Sequence, residues 1–166
     1  MEEVRWSVIP GFPTYVVNNM GQILNIETDR LMMISYTQQG NAKISLVGPE
    51  GRQTLSVARM VAESFVLRPN PLSDSVIVLN GNQADLRAAN LAWRPGWFAW
   101  KYTRQLKEQQ PIYFHNLTIH DIVEGWYYKN VIETGQKLGL LYADIWRSTY
   151  TGDTVYPGNS IFRVVS

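Results

Sequence analysis

Four turn-forming residues crowd the first 21 positions of the chain. Pro10, Gly11, Pro13 and Gly21 cut the apolar pieces around Ile9, Tyr15 and Ile23 to lengths that suit strands joined by turns and leave no room for a long helix. Asn19 and Gly21 fit a tight turn, because both tolerate the positive φ it demands. Residues 42–47 alternate polar and apolar, Gly48-Pro-Glu-Gly51 turns the chain, and residues 52–57 alternate again, which predicts a hairpin. From Ala58 to Val66 the spacing of Met60, Val61, Ser64 and Phe65 changes to that of a helix.

The second half is harder to parse. Residues 76–79 form a short apolar strand, followed by the polar turn Asn80–Asp85. Pro95 suits the opening turn of a helix. Trp93, Trp97 and Trp100 recur at i, i+4 and i+7, with Arg104 next on the same face; the stripe reads as core packing, the alternative being a partly exposed surface for a protein or nucleic-acid partner. Residues 105–111 read as a polar linker, which divides the chain into a region 1–104 and a module 112–166. In that module residues 112–115 and 117–119 are strand candidates. Residues 126–138 predict a helix stopped by Gly139, residues 142–148 a second one, and residues 155–164 a closing hairpin. Two short helices around a glycine-containing turn match a helix-turn-helix, although helical hairpins without a DNA role look the same.

Composition narrows the chemistry. There is no cysteine, which removes disulfides, a thiol nucleophile and cysteine-bound zinc. The two histidines, His115 and His120, leave little material for a metal centre. His120 precedes Asp121, but neighbours in a strand point to opposite faces, so the two do not make a base and its orienter. No apolar run reaches the ~20 residues of a membrane helix, and the acidic opening is unlike a secretory leader. The expectation is a cytoplasmic protein with no membrane partner. Charge is uneven: residues 30–109 carry ten bases against five acids, whereas residues 1–29 net −3 and 110–166 net −1. That middle segment is compatible with a polyanion partner, although charge alone favours an ordinary solvated face.

Trp6, Ile9, Gly11, Phe12, Tyr15, Asn19 and Gly21 together match the N-terminal associated motif of a known family. Residues 57–65 match its run in which His-Arg-Leu-Val-Ala precedes Phe. Residues 76–93, with Asn80-Gly81, Asp85, Asn90, Leu91 and Trp93 in register, match its nuclease signature. Residues 111–164 match its helix-turn-helix repeat. The chain thus resembles the small HNH homing endonucleases found with phage introns. The resemblance implies an α+β fold: a strand-rich N-terminal region, a ββα core and a small helix-turn-helix C-terminal module.

It also implies a cleavage site, in which a histidine base activates water and a divalent metal stabilises the leaving oxygen. Here the histidine position is Val78, a neighbouring ligand position is Ile77, the turn acid is Asn80, the ligand on the following helix is Ala99, and the histidine before the Arg-Leu-Val-Ala run is Ala58. Valine and isoleucine offer no lone pair, and a hard cation wants oxygen ligands. From these replacements the expectation is a degenerate HNH nuclease site: no enzyme, no metal, no cofactor, and a double-stranded DNA-binding protein acting as a phage regulator of transcription or replication in the infected host cell. Phosphate contacts are expected from Arg30, Lys43, Arg52, Arg59, Arg87, Lys101 and Arg104, and base contacts from Tyr142, Asp144 and Arg147. The alternatives are a protein-binding factor acting on an RNA polymerase, for which six tryptophans and nine tyrosines would serve as anchors, and a residual HNH nuclease.

Overall fold

The structure, a computed structural model, describes residues 2–165. It divides into two compact units, Met1–Gly96 and Trp97–Ser166. The boundary falls eight residues before the position expected from sequence.

The first unit is built from short sheets around one helix. β1 (Trp6–Ile9), β2 (Phe12–Asn18), β3 (Ile23–Asn25) and β4 (Arg30–Leu31) form an antiparallel sheet in sequence order. The β2–β3 turn is tied by Asn18, whose side-chain oxygen accepts from the N–H groups of Met20 and Gln22. Gly21 sits there at φ 89°, a conformation that favours glycine, and a Cβ on it would crowd Leu86 Cβ at 3.1 Å. Buried Asn19 fastens the chain start, accepting from Arg5 N–H at 2.8 Å and donating to Glu3 O at 2.9 Å. β5 (Ser35–Tyr36), β6 (Ala42–Gly48) and β7 (Gly51–Ser56) form a second sheet that contains the expected hairpin. Ser56 then caps α1 (Val57–Phe65), its hydroxyl accepting from Arg59 N–H.

β8 (Ser75–Val78) pairs antiparallel with β9 (Leu91–Arg94), from Ser75 opposite Arg94 to Val78 opposite Leu91. The core of this unit gathers Val17, Ile44 and Leu46 from the sheets, Val57 and Val61 from α1, and Trp93 from β9. Trp93 is therefore a strand residue, buried, with its indole N–H donating to Val66 O at 3.1 Å.

The second unit starts within α2 (Gly96–Lys107), which follows Pro95 as expected. It continues through α3 (Tyr113–Asn116), β10 (Ile119–Asp121), β11 (Tyr127–Tyr128), α4 (Val131–Leu138), α5 (Tyr142–Thr151) and β12 (Phe162–Val164). The sheet order is β11-β10-β12, all antiparallel. Phe114, Ile119, Val131, Ile145 and Phe162 form its core.

Several expectations are corrected here. Trp97 and Trp100 lie on the exposed face of α2, while Phe98, Tyr102 and Gln105 form its buried face, so of the tryptophan stripe only Trp93 is core packing. Residues 105–107 end α2 instead of opening a linker. Gln105 is buried, donating to Leu140 O at 3.0 Å and accepting from Tyr142 N–H at 2.8 Å. Residues 113–116 are a helical turn, not a strand. Residues 127–128 pair with β10, so α4 starts at Val131, where Asn130 caps it by accepting from Glu133 N–H at 2.8 Å and Glu133 reaches back to Lys129 N–H. That bond holds the Glu133 carboxyl below its ordinary pKa, with Lys137 adding a smaller effect in the same direction. No hairpin closes residues 155–164; β12 pairs with β10 instead.

Candidate nucleic-acid interface

The β8–β9 connection carries the residues of the nuclease signature. Ile77 and Val78 are buried in β8 with hydrocarbon side chains. Asn80 opens the turn and is tied on every side. Its Oδ1 accepts from Asn82 N–H and Asn90 Nδ2, both at 2.9 Å, and its Nδ2 donates to Asp85 Oδ2 at 3.2 Å. Buried Asn90 completes the ring: Nδ2 also donates to Asp85 O at 2.8 Å, and Oδ1 accepts from Asn80 N–H at 3.2 Å. Arg87 grips Asp85 with two parallel bonds of 2.7 and 2.8 Å, and these hold the Asp85 carboxyl below the ordinary 3.8. The three side chains thus set the shape of the turn. The helix ligand position, Ala99, is half-buried in α2 of the second unit, and Ala58 is half-buried in α1.

A divalent metal at this locus belongs to what the resemblance implies, and the donor set does not fit one. Ile77 and Val78 offer no donor atom, Asn80 spends its amide on the turn, and Asp85 is matched by Arg87. No group of three His, Cys, Asp or Glu able to hold a metal ion occurs among the described residues.

The expected phosphate contacts separate into two kinds. Arg59 is engaged internally: Nε pairs with Glu63 at 3.0 Å, a guanidinium nitrogen donates to Asp74 O at 2.8 Å, and the group lies 5.4 Å from the Trp93 ring centre. Arg87 is committed to Asp85. Arg104 pairs with Glu108 at 3.1 Å and covers Trp100 at 4.6 Å, and Lys101 lies 5.6 Å from the Trp97 ring centre. Arg30 on β4, Lys43 on β6 and Arg52 on β7 make no ion pair among the described residues.

Lys43 and Arg52 share one sheet face. Register places Lys43 opposite Ser35 and Ser56, Ser45 opposite Thr54, and Val47 opposite Arg52. Alternation sends Ala42, Ile44 and Leu46 into the core, so this set faces solvent. The hydroxyls of Ser45 and Thr54 meet at 3.1 Å. None of the three strands contains a carboxylate. The face offers cations at two corners and hydroxyl donors between them.

In the second unit α4 and α5 are joined by residues 139–141, with Gly139 in the left-handed region at φ 68°. Tyr142, expected to reach bases, is a core residue instead. Its ring packs so close to Gly135 that a Cβ there would stand 2.5 Å from it, its hydroxyl accepts from Gln136 at 3.2 Å, and burial pushes its pKa up. It sits at the first residue of α5, where the turn directs it inward. Asp144 and Arg147 stay near the surface but pair with each other at 3.0 Å.

Over 93 residues, 53% of this chain, the sequence is 34% identical to an uncharacterized HNH endonuclease of Acanthamoeba polyphaga mimivirus. The chain spans about a quarter of that relative, with 23% of its length covered. No protein-family model matches. In three dimensions the chain is similar to the HNH homing endonuclease I-HmuI, from a structure of DNA binding and cleavage by that enzyme. The TM-score is 0.55 at 18% identity, and the match covers 97% of this chain and 98% of the other. The fold is that of an HNH homing endonuclease.

This overturns the expectation that the chain is not an enzyme, since both similar proteins are named endonucleases. The replacements at Ile77, Val78, Asn80, Ala99 and Ala58 therefore do not by themselves establish a chain without activity. Among the described residues no helix is long and apolar enough to cross a membrane.

Sequence reasoning missed two features of this surface. It treated basic residues one by one and did not see that Lys43 and Arg52 share a face with Ser35, Ser45, Thr54 and Ser56. The signal was there in the alternation of both hairpin arms. It also missed that Arg59 and Arg87 are held by carboxylates, Glu63 at i+4 and Asp85 at i−2.

Proposed function

We propose that this chain engages double-stranded DNA through the solvent face of the β5–β6–β7 sheet, as a protein of the HNH endonuclease kind. The observation that carries the reading is the unpaired Lys43 and Arg52 flanking a field of hydroxyls, on strands free of carboxylates. Phosphate oxygens take contacts from such lysine, arginine and hydroxyl donors, and a β-ribbon of this size enters a major groove. Arg30 on the neighbouring sheet is a further phosphate contact. Arg147 on α5 is a further contact in the second unit once Asp144 yields it.

Between cleaving that DNA and regulating its transcription or replication, the names of the similar proteins favour cleavage. The binding test is a salt titration with duplex DNA: log K falls linearly with log salt, at a slope of about −3 for the contacts of Arg30, Lys43 and Arg52. Affinity independent of salt contradicts the reading. The cleavage test is nicking of supercoiled plasmid that stays with the protein through purification. It should be lost in Asn90→Ala, which opens the β8–β9 turn.

A further inference from the structure

α2 places Trp97, Trp100, Lys101 and Arg104 on one face, at spacings of three and four residues. Trp97 is 54% and Trp100 60% exposed, an unusual cost for indoles on a helix that buries Phe98 and Tyr102 on its other side. Each exposed indole has a cation over it, Lys101 for Trp97 and Arg104 for Trp100. Trp97 is also propped by Tyr156, whose ring centre is 5.4 Å away. The helix contains Lys101, Arg104 and Lys107 and no carboxylate. Beside Trp100 lies an open cleft of about 320 Å³ shared with the start of α5. Its two acids, Glu108 and Asp144, are paired with Arg104 and Arg147.

We propose that this face of α2 binds single-stranded DNA, stacking unpaired bases on Trp97 and Trp100 while Lys101 meets a phosphate and Arg104 exchanges Glu108 for one. Arg104 over Trp100 and the Lys101 and Tyr156 contacts of Trp97 hold the two rings in place for a base to stack on their exposed parts. The arrangement selects unpaired bases over duplex because a duplex hides its base faces in the stack and offers only edges and backbone. The positive helix selects a polyanion over an ordinary protein partner. The inference does not rest on the duplex reading, because it uses a different unit of the protein and a different chemistry.

The test is fluorescence anisotropy of a labelled oligothymidylate of about twelve nucleotides with the full chain, beside a duplex of the same length. The oligothymidylate should bind. Trp100→Ala and Trp97→Ala should each weaken it by about tenfold or more, the loss expected from removing one base-stacking ring. Trp100→Phe should restore most of the affinity, and Trp126→Ala should leave it unchanged, although Trp126 is 65% exposed in the same unit. Duplex affinity should respond to Lys43→Ala and not to Trp100→Ala. No binding of the oligothymidylate, full binding in both α2 tryptophan variants, an equal loss in Trp126→Ala, or an equal loss of duplex binding in Trp100→Ala each overturns the proposal. Failure of the duplex reading shows separately, as duplex binding that ignores Lys43 while the oligothymidylate still requires Trp100.

Discussion

The β8–β9 turn and the solvent face of the β5–β7 sheet belong to the same unit and use polar side chains in opposite ways. At the turn every polar group answers another: Asn80, Asp85 and Asn90 close a ring of hydrogen bonds, and Arg87 is clasped by Asp85. On the sheet, Lys43 and Arg52 face solvent with no carboxylate on their strands. The turn spends its polarity on holding one backbone shape. The sheet leaves its polarity for something outside the chain. A count of basic residues therefore overstates the number of phosphate contacts, because several of those cations already have partners.

The contrast breaks first at Asn90. Asn90→Ala removes three side-chain hydrogen bonds from a buried position and should cost about 2–3 kcal/mol, read as a lower urea midpoint at unchanged slope. A loss below about 0.5 kcal/mol would mean that the ring does not hold the turn. Next comes the sheet. Lys43→Ala combined with Arg52→Ala should leave stability within about 0.5 kcal/mol and make the salt slope of duplex binding shallower by about two units. An unchanged slope removes this face from the interface.

The smallest effect is at Arg87. Because Asp85 has a lowered pKa in the folded chain, its pairing contributes stability above the ordinary carboxylate value of 3.8, and that contribution fades as pH falls through the lowered value. Both side chains reach solvent, so the effect is screened by salt. Arg87→Ala should lower the urea midpoint slightly at neutral pH, with the gap to wild type closing as pH falls below the ordinary carboxylate value. Its duplex salt slope should match wild type. A slope shallower by about one unit would place Arg87 among the phosphate contacts after all.

Much of the first unit was legible in the sequence, because its signals are local. Alternation in residues 42–57 with a Gly-Pro-Glu-Gly turn between leaves little but a hairpin, and Gly21 announces its turn, although Asn18 and not Asn19 ties it. β9 escaped because Trp93, Trp97 and Trp100 imitate one helical stripe, although Pro95 and Gly96 separate the strand from α2. Gln105 looked like linker because a polar side chain gives no sign that a backbone carbonyl and an N–H will meet it in the core. Residues 155–164 looked like a hairpin, but β12 takes its partner, β10, from more than 40 residues earlier, with Phe162 opposite Asp121 and Val164 opposite Ile119, which no short window can see. The start of α4 was readable and overlooked: Asn130 and Glu133 have the spacing of a capping box. At the candidate site, the sequence identified the residues that shape the turn, while the division between held and free cations needed coordinates.

The central claim is that duplex DNA lies on the β5–β7 face, and the most direct test is lysine acetylation of the full chain, mapped by mass spectrometry with and without saturating duplex. Lys43 should react readily in the free protein and be protected in the complex. Lys43 reacting at the same rate in both, under conditions where the duplex is bound, would contradict the account.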